Sequence, residues 1–291
     1  MKKEYGLAMT AVIMWATLSP VTKMVLEVLP NMEVLCIGSL VAFLFLLGLN
    51  LVRGALKGLK EWKAKDYGTV CLLGFVGLFL YSALYYYGIS VMPAQDACII
   101  NYLWPLMIVI FSIFVLKEKM TFRKGVAIVL SFLGVALVAT KGDLIGTDTA
   151  NLKGILSCVL AAVCYGAFSV YNKKKAYDQN LSMMFFFLVS AVCAGVLSLA
   201  TEEAAAIGPG QFAGILWIGI FVNAIGYLSW CLALNGGETA KISNLAYLTP
   251  FLAMLLSHFL LGEALNLWSL SGLVLIIGGI FVQMAPAKKK V

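Results

Sequence analysis

Ten long apolar stretches, separated by short polar loops, occupy nearly all of this 291-residue chain, at about 5–25, 32–52, 67–89, 94–116, 122–140, 152–172, 181–201, 212–235, 240–261 and 268–284. A bilayer's hydrocarbon layer is ~30 Å thick and takes roughly 20 apolar residues to cross as a helix, because each backbone N–H and C=O must be bonded within the crossing segment. With 62% hydrophobic and only 12% charged residues, too few polar groups exist to cover a water-soluble globule. No stretch places a polar residue at every second position, as the lumen face of a β-barrel requires. The expected fold class is an all-α integral membrane protein with ten transmembrane helices.

Orientation follows from the basic residues, which are retained on the cytoplasmic side of short loops. With the N-terminus inside, 18 of the 21 lysines and arginines fall on the cytoplasmic face, including Lys2, Lys3, Arg53, Lys57, Lys117, Lys119, Lys173 and Lys288 to Lys290. Lys141 and Lys153 fall outside, and Lys23 lies near the outer end of the first span. Both termini are therefore expected in the cytoplasm, with the chain in the cell membrane. The net charge of +7 describes topology and lipid head-group contact, not nucleic-acid binding. The start, Met1-Lys2-Lys3 and an apolar run to about Val25, reads as the first membrane helix rather than a cleaved leader.

Several chemistries are excluded at the same level. Seven cysteines, at 36, 71, 98, 158, 164, 193 and 231, lie inside apolar spans without C-x-x-C spacing and read as small core residues. One histidine, His258, and no thiol pair give a metal too few ligands. No G-x-x-x-x-G-K-[ST] loop is present to use nucleotide, and the spans hold no paired acids and no Ser-His-Asp set, so neither an enzyme nor a cofactor is expected.

The two halves of the chain echo each other. Trp15-Ala16-Thr17-Leu18-Ser19 running on to Lys23 matches Tyr165-Gly166-Ala167-Phe168-Ser169 running on to Lys173. Tyr102-Leu103-Trp104-Pro105-Leu106, followed by Leu116-Lys117-Glu118, matches Tyr247-Leu248-Thr249-Pro250-Phe251 followed by Leu261-Gly262-Glu263. The polar, turn-rich stretch Gly142 to Asn151 reads as the join, giving one repeat over 1–145 and a second over 146–291. Five spans per repeat is an odd number, so the second copy enters the membrane from the opposite side. Inverted repeats of this kind let one packing present a central site to either face, which is the logic of a transporter.

On the Trp15-to-Lys23 pattern and the two proline-containing spans, the chain resembles the drug/metabolite transporter superfamily, specifically its ten-helix EamA-type members, over nearly its full length. Asn101-Tyr102-Leu103-Trp104-Pro105 is similar, more narrowly, to the YddG-type exporters of aromatic amino acids. The resemblance implies a basket of ten helices around a central cavity and export of amino acids or related metabolites across the cytoplasmic membrane. Export of small neutral amino acids such as threonine or homoserine, uptake of another metabolite, and a non-transporting membrane scaffold are the rival readings.

Residues able to serve such a cavity can be read directly. Pro105 and Pro250 each remove the hydrogen bond to the carbonyl four residues earlier, on Asn101 and Ala246, which predicts hinges with acceptors free for an ammonium group; Pro20 is a third candidate hinge. Tyr81 with Tyr85, Asn101 with Trp104, Tyr165 with Ser169, and Asn223 with Tyr227 and Trp230 fall on stripes at three- or four-residue spacing, while Tyr102 and Tyr247 hold matching places before the two prolines. Their rings suit a planar side chain or a cation. The candidate substrate-binding set is Tyr81, Tyr85, Asn101, Tyr102, Trp104, Tyr165, Tyr227, Trp230 and Tyr247. Plain core packing is the competing account of the rings, and interhelical hydrogen bonding that of Asn101, Asn223 and Asn244. Lys23 is a candidate anion contact, set against satisfying carbonyls at a helix end. Glu118 and Glu263 read as helix-terminal or gating charges, and His258 as a neutral imidazole satisfied by one hydrogen bond.

Overall fold

A computed structural model describes residues 2–141, 149–173, 178–236 and 245–284. Among them are ten apolar helices, eight of which are long and apolar enough to cross a membrane. In chain order they are α1 (Lys2–Ala16 and Leu18–Leu26), α2 (Asn31–Val52), α3 (Ala64–Val91), α4 (Ala94–Val115), α5 (Phe122–Thr140), α6 (Thr149–Lys173), α7 (Gln179–Thr201), α8 (Pro209–Gly236), α9 (Ala246–Leu261) and α10 (Leu267–Met284). The last two are the shorter pair. The expected start of the ninth span, at 240–244, and most of the expected join at 142–151 lie outside the described residues, as do Lys174, Lys175, Lys241, Asn244 and Lys288 to Lys290.

Three helices are broken, and each break has a local cause. Pro20 has no N–H to bond the carbonyl of Ala16, and α1 breaks at Thr17, whose own N–H is shared between the carbonyls of Ile13 and Met14 at 3.3 and 3.2 Å. The matching helix α6 has Val170 where α1 has Pro20 and runs unbroken. In α4 the helix stops at Asn101, turns through Tyr102 and Leu103, and restarts at Trp104 with Pro105 in its first turn. In α9 a 3₁₀ turn, Ala246–Leu248, precedes a helix that starts at Thr249 with Pro250 in its first turn. The prolines therefore do not sit mid-helix as the sequence suggests; each opens a new helical segment, where a missing N–H is least costly.

The third helix of each half carries a π-helical stretch, Phe75–Leu80 in α3 and Trp217–Ile225 in α8. Nothing in the apolar pattern predicts these. Each re-aims the residues that follow, which are Tyr81 in α3 and Tyr227 in α8.

Packing respects the repeat. α5 lies along α10 and α2 along α7, while α1 packs on α8 and α3 on α6, so exchanging the two halves exchanges the last two contacts. Small residues permit the close approaches. A Cβ on Gly134 would lie 2.6 Å from the carbonyl oxygen of Gly272, and one on Gly272 the same distance from that of Gly134. Between α2 and α7 the buried hydroxyls of Ser39 and Ser190 bond at 2.9 Å. These two outer pairs brace the six remaining helices around a central space.

Candidate functional site

A cavity of about 270 Å³ opens among α1, α3 and α4 of the first half and α6, α8 and α9 of the second. Its described walls come from those six helices alone, three from each half. Eight of the nine candidate substrate-binding residues lie on it: Tyr81 and Tyr85 from α3, Asn101, Tyr102 and Trp104 from α4, Tyr165 from α6, and Tyr227 and Trp230 from α8.

The rings contact one another in two groups related by the repeat. Tyr81 meets Tyr165 with centroids 5.0 Å apart, and Trp104 meets Tyr165 edge-on at 5.4 Å. Trp15 meets Tyr227 at 5.4 Å and Trp230 at 5.3 Å. Trp15 occupies the position of Tyr165 in the repeat, and Tyr81 follows Gly77 by one turn as Tyr227 follows Asn223, so the Tyr81–Tyr165 contact reappears as Tyr227–Trp15. A Cβ at Gly77 would overlap the Phe168 ring, which shows how closely α3 must approach α6 to bring Tyr81 onto Tyr165.

The ninth candidate, Tyr247, is not on the cavity wall. Its ring packs edge-on against Phe281 of α10 at 5.6 Å. The partner that the repeat gives it, Tyr102, points the other way and donates its phenolic hydrogen to the carbonyl of Ala246. That carbonyl is the one Pro250 leaves without its helical partner, so the acceptor expected for a substrate ammonium group is already occupied.

Asn101 does face the cavity. It is 5% exposed, its amide nitrogen donates to the Tyr81 hydroxyl at 3.1 Å, and its Oδ1 has no hydrogen-bond partner among the described residues. An unmatched buried acceptor is uncommon and costs about 1–3 kcal/mol.

Lys23 is elsewhere. Its ammonium donates to the carbonyls of Ile89, Ser90 and Met92 at 2.8, 3.0 and 3.1 Å, closing the C-terminal end of α3, so it does not contact an anion in the cavity. Immediately beyond, the Glu263 carboxylate accepts from the backbone N–H groups of Ala94 and Gln95 at 2.6 and 3.1 Å, capping α4, and Gln95 Nε2 donates to the carbonyl of Ala264 at 2.8 Å. His258 Nδ1 bonds the Glu263 carbonyl oxygen at 2.8 Å. One end of α1, α3, α4 and α9 is thus tied together. At the position equivalent to Glu263, Glu118 is 48% exposed and pairs with Lys124 at 2.9 Å, and Lys173, equivalent to Lys23, is exposed.

Several residues that shape the site escaped the sequence reading. Trp15 and Thr249 line the cavity, and the repeat signals both, since they stand opposite Tyr165 and Trp104. Cys98 also lines it and Cys71 is exposed, so the thiols do not all sit in plain core. Trp217 stacks on Phe221 and donates to Thr17 Oγ1 at 2.8 Å, bracing the break in α1. Asp96, in the first turn of α4, is buried; it accepts from Ser269 at 2.6 Å and pairs with Lys141 at 3.2 Å. No group of three or more His, Cys, Asp or Glu side chains able to hold a metal occurs among the described residues.

The sequence profile of an EamA-like transporter family matches the chain twice, over residues 2–140 and 152–284. Among individual proteins, the chain is 27% identical over 283 residues to an uncharacterized transporter, YvbV, of Bacillus subtilis, covering 95% of this chain and 90% of that one. It is 24% identical over 250 residues to the aromatic amino acid exporter YddG of Ancylobacter novellus, covering 85% of each. A solved crystal structure superposes with a TM-score of 0.71 over 97% of this chain and 96% of the other at 21% identity, which establishes likeness of fold.

Proposed function

Because the chain belongs to the EamA-like transporter family of the drug/metabolite transporter superfamily, and so is a multi-pass membrane transporter, we propose that it exports amino acids, aromatic ones by preference, from the cytoplasm by alternating access. The observation that carries this reading is the cavity walled by three helices from each half, with the Tyr81–Tyr165 contact recurring as Tyr227–Trp15 when the halves are exchanged. An inverted pair of five-helix repeats, over 1–145 and 146–291 with both termini cytoplasmic, gives that cavity two equivalent ways to open. The two matches of the family profile and the distribution of lysines support it.

On this reading the ties around Lys23 and Glu263 hold the outer end closed, and Lys173 and Glu118 are the counterparts that close the inner end when the outer one opens. The helix breaks before Trp104 and Thr249 are the joints about which the half-helices rock. The aromatic preference draws on the ring-lined wall and on the likeness to the Ancylobacter protein.

Export is tested in cells that express the chain and are loaded with dipeptides of phenylalanine, tryptophan or threonine, by following free amino acid in the medium against cells lacking the chain. Faster release of phenylalanine and tryptophan is expected. Faster release of threonine alone would replace the aromatic preference with a small neutral substrate, and unchanged release of all three contradicts export of these amino acids.

A further inference from the structure

A zwitterionic amino acid can be held by its carboxylate, by its ammonium group or by both, and the cavity is equipped for one of these. Among its described lining residues there is no Lys, Arg or His to meet a carboxylate. Lys23, the basic residue that the sequence offers for that task, makes its bonds to the end of α3 instead. Burying a carboxylate in a weakly polar site without a counter-charge is unfavourable, and the negative faces of aromatic rings add to the penalty.

An ammonium group finds the opposite conditions. Asn101 Oδ1 is a buried acceptor with no partner among the described residues, on the wall beside Tyr81, to which the other end of the same amide is bonded. Tyr81, Tyr165 and Trp104 form a contiguous set of rings there. A cation is attracted to such faces, and an N–H from it would supply the hydrogen bond that Asn101 lacks.

Resting on the reading of this cavity as the transport site, we propose that it recognises the ammonium group and the aromatic body of its ligand and does not require the carboxylate, so that its ligand class is aromatic primary amines in general, decarboxylated arylethylamines included. Asn101 Oδ1 is the ammonium acceptor and the determinant of this specificity.

The test is calorimetric binding of tryptamine, tryptophan and indole-3-propionate to the purified full-length protein in detergent, which removes passive permeation of the amine from the measurement. Tryptamine is expected to bind at least as tightly as tryptophan, and indole-3-propionate at least tenfold more weakly than either. Asn101→Leu should weaken tryptamine about tenfold or more. Asn101→Asp, which keeps the side-chain size and adds charge, should shift the preference further toward tryptamine over tryptophan. Indole-3-propionate binding as well as tryptophan while tryptamine lags would overturn the proposal, by showing that the carboxylate is the group recognised. Failure of all three to bind also overturns it. Saturable threonine or alanine counterflow by the same preparation would then leave the broader amino-acid transporter reading standing, and its absence would remove both.

Discussion

The phenol of Tyr102 donates to the backbone carbonyl of Ala246, tying the break in α4 to the break in α9 across the interface between the two halves. Proline leaves that carbonyl without its helical partner, and the bonded side chain comes from the equivalent break in the other repeat. The joints of the two repeats are therefore one connected unit. Tyr102→Phe keeps the ring and removes the donor, leaving the carbonyl with the Thr249 N–H alone, at a cost of about 0.5–1.5 kcal/mol. A lower midpoint of thermal unfolding in detergent is expected, and an unchanged midpoint would show that the bond contributes nothing.

Trp104 stands edge-on to Tyr165 on the cavity wall. Trp104→Ala removes an aromatic contact of about 0.5–1.5 kcal/mol together with ring surface available to a ligand. Concentration-dependent uptake should show KM for tryptophan raised several-fold to tenfold, with membrane insertion intact. Wild-type kinetics in a well-expressed variant would remove the residue from the site.

Pro105 opens the second half of α4, and replacing it lets the segment around Tyr102 and Leu103 return toward continuous helix. Pro105→Ala is expected to lower turnover while leaving the dissociation constant within about threefold of wild type, because a joint affects interconversion more than contact. Equal turnover would remove the hinge.

Glu263 caps α4 through two backbone N–H groups, next to the three carbonyls held by Lys23. Glu263→Gln leaves one oxygen where two accept and removes the charge, so the tie should loosen. Cys98, on the cavity wall, reports it. Its labelling by a membrane-impermeant maleimide applied from the Glu263 side, read by peptide mass spectrometry, should be faster in the variant. Equal labelling would show that this end is held by other contacts.

Gly134 and Gly272 meet backbone to backbone between α5 and α10. In Gly272→Ala the new methyl group would press on the Gly134 carbonyl at 2.6 Å, and the helices must part. Overpacking of this kind costs about 1–3 kcal/mol. The thermal midpoint should fall while tryptophan affinity in the folded fraction stays near wild type, since neither residue touches the cavity; an undiminished midpoint would mean that the helices separate freely.

The parts of this structure legible in the sequence are those set by period and repetition. Helical spacing alone puts Tyr81 and Tyr85 on one stripe and Tyr227 and Trp230 on another, and both stripes face the cavity. The repeat also carried information left unused, because Trp15 and Thr249 stand opposite Tyr165 and Trp104. What repetition could not convey is where two equivalent residues point. Tyr102 and Tyr247 share a position, yet one reaches across to Ala246 and the other turns toward Phe281, a choice made by neighbouring helices. The π-helical stretches before Tyr81 and Tyr227 depend on packing in the same way. So does Asp96, whose partners Ser269 and Lys141 are distant in sequence.

The central claim, that the shared ring-lined cavity carries amino acids across the membrane, is tested most directly by counterflow of labelled tryptophan, phenylalanine, threonine and alanine into proteoliposomes of the purified protein, with empty vesicles as control and no imposed gradient. Saturable exchange of tryptophan and phenylalanine, diminished in Trp104→Ala, is the predicted result. Absence of exchange for all four, from protein shown to be folded and inserted, would contradict the claim.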